Sequence, residues 1–260
     1  MKYAVLTGDI VRSSLLIDAE ERQLLTRNLK DCLLKITNNE ADYYLHRGDY
    51  FQVLIHNPED ALKYAVIIRA FLKSMFIYDQ VQTREHPDSK TDLIDLSVLS
   101  HSKTEVTPVS QRKNRSADLD ARIAIGIGTI TYRAKNVYES DGPAFHNSGR
   151  TFDSLRKGQY LSILTKQNHT LDITLNLICD FVDDIIKGWS VHQAETALKL
   201  MEADGNEEIK QEELATHFGI KQPTVSALIK AAKWELLKKA LNVTKVLLAA
   251  KNSNPTSLAT

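Results

Sequence analysis

The chain has 260 residues, of which 43% are hydrophobic and 25% are charged, and its formal net charge is zero. That composition is typical of a globular protein with one large domain or two ordinary ones. A neutral total excludes binding of polyanions by bulk charge alone. The charge is uneven, however, because the segment from Lys221 to Lys251 holds seven lysines against one acid, Glu235. Phosphate contact is a natural reason for so basic a segment.

The N-terminal residues and the cysteines predict a cytoplasmic protein without a membrane partner. The apolar run from Tyr3 to Leu6 is short and ends at Thr7-Gly8-Asp9, which is typical of a strand entering a turn and not of a signal peptide. No apolar run approaches the roughly 18 residues of a membrane span. Cys32 and Cys179 lie far apart in apolar surroundings, which indicates buried thiols in a reducing compartment.

The first half of the chain predicts a strand, a helix, a hairpin and a second helix. Asp18 is a suitable cap for a helix that runs to about Thr37. Gly48-Asp49 separates two strand-like runs, 42–47 and 50–55, as the tight turn of a hairpin does. Pro58 suits the first turn of a helix that runs to about Tyr78. Residues 80–119 are polar with little periodicity, and we interpret them as an inserted loop.

The second half of the region 1–165 predicts two strands, a helix and a last strand. Residues 121–125 alternate as a strand does, Gly126 to Gly128 indicates a turn, and 129–137 predicts a second strand. A short helix follows Gly142-Pro143, and 160–164 is the last strand. The whole order predicts an α+β sheet of the ferredoxin-like kind over residues 1–165, with helices on one face.

The chain from residue 166 to 251 predicts helices only, as a linker and an all-α helix-turn-helix, followed by a frayed tail over 252–260. The turn is expected at Gly219, where glycine tolerates a positive φ, and Pro223 suits the first turn of the second helix. The residues expected to face outward and to bind DNA are Gln222, Thr224, Ser226, Lys230 and Lys233. The alternative is a small helical bundle that only packs or dimerises.

Two aspartates in the first half indicate a divalent cation site. Asp9 follows the first strand, and Asp49 lies at the tip of the hairpin. If the two strands are neighbours, both carboxylates converge on one edge, which is what Mg²⁺ or Mn²⁺ needs beside the phosphates of a nucleotide. The small loop of Arg12, Ser13 and Ser14 is able to admit those phosphates. The alternative is that each aspartate only forms its turn.

Three segments carry a family resemblance: GDIVRSS, HRGDYFQV and RIAIGIG followed by SDGPAFHNSGR. Together they resemble the palm of class III nucleotidyl cyclases and, more loosely, the GGDEF palm. The greatest likeness is to the SatD family of bacterial proteins, which join such motifs to a C-terminal helix-turn-helix. The resemblance therefore implies a nucleotidyl-cyclase palm domain followed by a DNA-binding domain.

The resemblance also implies roles for individual residues. Metal ions would be held by Asp9, Asp49 and the carbonyl group of Ile10. His146 and Arg150 take the catalytic helix positions, four residues apart on one helix face. Glu139 and Asp141 are candidates for contact with the base. The chain departs from the cyclase pattern twice, with His146 in place of Asn and Leu45 in place of the base-selecting Lys.

Three hypotheses follow for the function. The first is a regulator whose palm binds a nucleotide and a metal ion and whose helix-turn-helix binds DNA. The second is an active nucleotidyl cyclase or transferase that acts on a nucleoside triphosphate with Mg²⁺ or Mn²⁺. The third is a scaffold for protein contacts. The first is favoured because the DNA-binding pattern is intact while the cyclase pattern is altered. A homodimer is expected because two copies double the length of DNA that is contacted.

Overall fold

The computed structural model describes residues 1–13, 16, 19–78, 114–116, 119–203 and 211–250. Most of the predicted polar loop (80–119) lies outside the described residues, as do the predicted tail (252–260), Ser14 and the expected helix cap Asp18.

In the described part of the chain, five strands form one mixed sheet, and two more form a separate small sheet. In chain order the strands are β1 (Tyr3–Val11), β2 (Tyr43–His46), β3 (Tyr50–Ile55), β4 (Phe76–Tyr78), β5 (Asn114–Ser116), β6 (Asp120–Gly128) and β7 (Leu161–Leu164). The order in the large sheet is β2-β3-β1-β6-β7, and only the β6–β7 pair is parallel. β4 pairs with β5. The predicted α+β class is therefore confirmed at the level of a mixed sheet with helices.

The described residues also form eight α-helices. In chain order these are α1 (Ala19–Thr37), α2 (Ala61–Ser74), α3 (Pro143–Asp153), α4 (His169–Lys187), α5 (Val191–Ala203), α6 (Gln211–Phe218), α7 (Gln222–Ala231) and α8 (Trp234–Ala249). The predicted role of proline is confirmed near α2, because Pro58 opens a short 3-10 turn that Asn57 caps and that leads into the helix.

Helices cover both faces of the large sheet, so the prediction of helices on one face is wrong. Alternate residues of β1 point to opposite sides, as in any strand. Ala4 and Leu6 enter the main core, which also contains the buried side chains of α1, α2 and α4. Val5 instead packs with Ala144 and Phe145 of α3. α3 was expected, but the face that it occupies depends on the path of the chain after β6.

Two glycines of β6 allow α3 to lie directly on the sheet, and they do not form the predicted turn. A Cβ on Gly126 would collide with the backbone nitrogen of Ser148 and the carbonyl oxygen of Ala144. A Cβ on Gly128 would lie 2.6 Å from the backbone nitrogen of Ala144. Both glycines are inside the strand. Glycine is therefore needed at these positions because α3 packs closely against them, and not because the chain reverses there.

Three further element boundaries differ from the prediction. β1 does not end at Thr7-Gly8-Asp9 but continues to Val11, because these residues pair with both β3 and β6. Residues 129–137 form no strand, and only an isolated bridge joins Tyr132 to Asp141. α2 ends at Ser74, where Met75 is extended and the chain enters β4.

The C-terminal helices pack on the sheet layer and on one another. α5 contacts α2, and α7 contacts both α5 and α8. The indole nitrogen of Trp189, which follows α4, donates a hydrogen bond of 3.0 Å to the carbonyl oxygen of Ala232 at the end of α7. The buried side chains of Trp234 and Leu237 belong to the same core as the sheet. One core therefore continues past residue 165, where the sequence predicted a domain boundary.

Candidate functional site

Asp9 lies inside β1, where it faces Arg122 of β6 across the antiparallel pair. The Arg122 Nε donates a hydrogen bond of 2.9 Å to one carboxylate oxygen of Asp9, and Nη2 donates to the other. This two-pronged pairing raises the pKa of the Arg122 guanidinium, chiefly through the hydrogen bond. The side chains remain 30% and 37% exposed, so water and small solutes reach the pair.

Asp49 lies in the turn between β2 and β3, next to the end of β1. Its carbonyl oxygen accepts a hydrogen bond of 2.9 Å from the backbone nitrogen of Ile10. The sequence argument therefore correctly placed the two aspartate-bearing segments beside each other. The side chain of Ile10 is buried in the main core. Within the described residues, no group of three or more His, Cys, Asp and Glu side chains is arranged to hold a metal ion.

The predicted phosphate loop begins directly after β1. Arg12 has a φ of 68°, an uncommon conformation for a residue other than glycine. The carbonyl oxygen of Ser13 accepts a hydrogen bond of 3.2 Å from the backbone nitrogen of Leu16. Ser14 lies outside the described residues.

Two aromatic residues lie next to the Asp9–Arg122 pair, because Phe152 contacts Arg122 and Tyr50 is the strand partner of Asp9. The Arg122 guanidinium lies 5.4 Å from the centre of the Phe152 ring, and the Tyr50 ring meets Phe152 edge-on at 6.1 Å. Burial raises the pKa of the Tyr50 hydroxyl, and the nearby carboxylate of Asp153 raises it further. We call Asp9, Arg122, Tyr50 and Phe152 the sheet-end site. Sequence reasoning missed three of these four residues.

The predicted catalytic helix places His146 and Arg150 on its exposed side. His146 Nε2 lies 2.7 Å from a carboxylate oxygen of Asp141, and both side chains are more than half exposed. The inward side of α3 carries Asn147 instead, whose amide donates a hydrogen bond of 2.9 Å to the carbonyl oxygen of Ile127. The polar residues of this helix that touch the sheet are therefore not the predicted pair.

The two residues proposed for base recognition, Glu139 and Asp141, lie in the exposed segment before α3. Glu139 is exposed in a short 3-10 turn. The backbone of Asp141 is hydrogen-bonded to Tyr132, and its side chain is the one paired with His146. Leu45, at the position of the cyclase lysine, packs against the main core. Leu45 therefore contributes to the hydrophobic core.

A second ionic cluster lies two residues from Arg122 along β6 and is closed to water. Arg69 of α2 is fully buried and donates hydrogen bonds of 2.7 and 2.9 Å to the two carboxylate oxygens of Asp120. A third bond, of 2.9 Å, joins Arg69 to Asp183 of α4. Asp183 also accepts from the backbone nitrogen of Tyr160 and from Lys187. We call Arg69, Asp120 and Asp183 the buried cluster. Nothing in the sequence predicted this cluster, because Arg69 is a lone arginine in a helical segment.

α5, α6 and α7 pack together as a small trihelical unit, to which α5 contributes Leu200. Leu214, Phe218 and Val225 form its core, which Ile229 borders. The turn between α6 and α7 contains Gly219 at a φ of 60°. The predicted outward residues are indeed exposed; they are Gln222, Thr224, Ser226, Lys230 and Lys233. α7 therefore presents a polar face.

Comparison of the chain with protein-family models, with curated proteins and with solved structures found no match. In the part of the chain that the structure describes, no helix combines the length and the apolar character that crossing a bilayer requires.

Proposed function

We propose that the protein is a DNA-binding regulator whose sheet-end site binds a nucleotide together with Mg²⁺ or Mn²⁺. The observation that carries this proposal is the outward face of α7. The opposite side of α7 supplies Val225 to the core of the trihelical unit. On the outward face Thr224 and Ser226 are exposed, and the exposed Gln222 donates a hydrogen bond of 3.3 Å to Gln211 of α6. Amide and hydroxyl side chains of this kind bind base edges and phosphates.

Charge supports the same assignment. The C-terminal end of α7 carries Lys230, and the residue that precedes α8, Lys233, is exposed and holds a φ of 54°. α8 adds Lys238 and Lys245. A helix that lies in the major groove needs cations at its ends, because most contacts with DNA are made to phosphate.

The sheet-end site supports nucleotide binding. Arg122 presents a planar guanidinium, which binds phosphate through two parallel hydrogen bonds. Asp9 and Asp49 belong to neighbouring backbone segments, and carboxylates beside phosphates are the usual ligands of Mg²⁺ in nucleotide sites. A metal ion at Asp9 has to replace Arg122 as its partner. We expect the Arg122 guanidinium, once released from Asp9, to donate its hydrogen bonds to a phosphate of the nucleotide.

The DNA-binding test compares the full-length wild type with Lys230→Ala and with Lys135→Ala as a matched control. Lys135 is an exposed lysine of the 129–141 loop. DNA fragments selected from a random pool are titrated at several salt concentrations. We expect Lys230→Ala to weaken binding to all sequences and to reduce the salt slope by roughly one unit, whereas Lys135→Ala leaves both unchanged. Absence of salt-dependent binding by the wild type would contradict the proposal.

An active nucleotidyl cyclase or transferase is the second candidate. The 2.9 Å bond between the Ile10 nitrogen and the Asp49 carbonyl favours it, since it brings the two aspartate segments together as two-metal catalysis requires. Incubation of the protein with each nucleoside triphosphate and Mn²⁺, with separation of the products, tests this function. Turnover that Asp9→Asn abolishes would establish the second candidate, and tight binding without any product would favour the regulator.

A further inference from the structure

The outer side of α4 carries an apolar stripe that none of the described residues covers. Ile173, Leu177 and Phe181 follow one another at intervals of four residues, which places them on one face of the helix. Each of these side chains is more than half exposed, and Phe181 is 62% exposed. The opposite side of α4 already supplies Leu175 and Val182 to the main core. The exposed stripe is therefore additional to what the fold of one chain needs.

α8 carries a second apolar stripe next to the first. Leu236, Val243 and Val246 are exposed, while Leu237 and Thr244 on the other side of this helix are buried. α4 and α8 pack against each other, so their outer sides adjoin. The apolar residues of α8 are more numerous than one terminal helix needs, which favours an interface. The structure divides them, because Leu241, Leu247 and Leu248 pack against the core of their own chain.

The charges beside the two stripes are of opposite sign. Asp180 and Asp184 are exposed on the outer part of α4, and Lys239 is exposed among the apolar residues of α8. Two copies of α4 face to face would bring aspartates together, and two copies of α8 would bring lysines together. The signs are complementary only when α4 of one copy meets α8 of another.

We propose that a second copy of this chain covers the joint face of α4 and α8, with α4 of each copy packed on α8 of its partner. A two-fold axis makes such a contact self-complementary, because each copy supplies both stripes. The helices have 19 and 16 residues. At about 1.5 Å per residue and roughly 10 Å in width, their faces together cover roughly 500 Å². That is the order of the roughly 800 Å² that each partner buries in a stable interface.

This inference extends the proposed function by naming the surface through which two copies pair. α8 begins three residues after the end of α7, so a dimer made through α8 holds two copies of the DNA-binding helix in a fixed relation. Its test is made without DNA or nucleotide. A protein that does not dimerise can therefore still bind DNA in the first test, and a protein that does not bind DNA can still be a dimer.

The first experiment measures the mass of the full-length chain in solution by sedimentation over a range of concentrations. The variants are Phe181→Glu and Leu177→Glu, with Tyr132→Glu as the matched control. Tyr132 is an exposed aromatic residue of the 129–141 loop. We expect the wild type and the control to be dimers and the two α4 variants to be monomers of unchanged helical content. A monomeric wild type, or a dimer that withstands both α4 substitutions, overturns the proposal.

The second experiment tests which helix meets which. Asp184→Lys and Lys239→Glu each place like charges across the proposed contact, so we expect each variant alone to dissociate at least tenfold more readily. Mixed together they restore opposite charges at both contacts of a heterodimer. Recovery of wild-type dimer affinity in the mixture supports the pairing of α4 with α8. A mixture that stays as weak as its components overturns that pairing.

Discussion

The sheet-end site and the buried cluster lie two residues apart on β6, yet water reaches only one of them. Arg122 and Asp9 are each about one-third exposed, while Arg69 is 0% exposed and its two carboxylate partners are 5% exposed. Both arginines bind a carboxylate through two hydrogen bonds. The difference lies in what surrounds them and not in the pairing itself.

That difference separates a structural ion pair from one that is able to exchange partners. Inside the core, each charge of the buried cluster depends on the others, because removal of one partner leaves an uncompensated charge away from water. At the sheet-end site, water or a ligand is able to replace either partner. An exposed ion pair therefore contributes little to stability and remains available for binding.

The largest expected effect is that of Arg69→Met, which removes the cation that Asp120 and Asp183 share. We expect the free energy of unfolding to fall by about 3–5 kcal/mol, because two buried carboxylates lose the guanidinium that they share, and only Lys187 beside Asp183 and Lys73 at 3.8 Å from Asp120 remain as cations. Urea denaturation followed by circular dichroism measures this loss. A change below about 1 kcal/mol would show that the buried cluster is no more structural than a surface pair.

Labelling of Cys179 provides an independent measure for the same variant. Burial raises the pKa of this α4 thiol, and it raises the pKa of the Cys32 thiol to about 12. Both cysteines are free and buried, as the sequence predicted, so a thiol reagent reacts only when the fold opens. We expect much faster labelling of Cys179 in Arg69→Met than in the wild type, and equal rates would argue against a loss of stability.

An intermediate effect is expected for Asp183→Asn. The side chain keeps its shape but loses the charge that accepts hydrogen bonds from Arg69 and Lys187. We expect a loss of about 2 kcal/mol, in the range for hydrogen bonds to charged groups. Asp31→Asn, an exposed helical aspartate, serves as the control and should change stability by at most about 0.5 kcal/mol. Equal losses of stability in the two variants would show that the buried Asp183 is no more important to the fold than an exposed aspartate.

The smallest effect on stability is expected for Arg122→Met, at most about 1 kcal/mol. The substitution should have a larger effect on the binding of Mn²⁺, because Asp9 loses the cation that competes with the metal ion. We expect a Mn²⁺ titration to show tighter binding to Arg122→Met than to the wild type, and no binding once Asp9→Asn is added. An unchanged Mn²⁺ affinity in Arg122→Met would show that Asp9 is not a ligand of a metal ion.

Local signals in the sequence determined the elements that depend on short-range chemistry. Gly48-Asp49 fixed the β2–β3 hairpin, and the turn at Gly219 with Pro223 behind it fixed the α6–α7 pair, because each depends on φ values that few residues adopt. The buried thiols and the polar outer face of α7 followed from helical periodicity. The proximity of the Asp9 and Asp49 segments followed once neighbouring strands were assumed.

Only the tertiary structure decided what depends on partners distant in the chain. Arg122 is paired with Asp9 because β6 lies in antiparallel register with β1, and a register shift of one residue would turn Arg122 to the other face. Gly126 resembled a turn in the sequence, since nothing local reveals that α3 packs against it. Arg69 resembled any helical surface arginine, because its burial is produced by β6 and α4. Long-range packing sets these environments, and the local sequence carries no record of it.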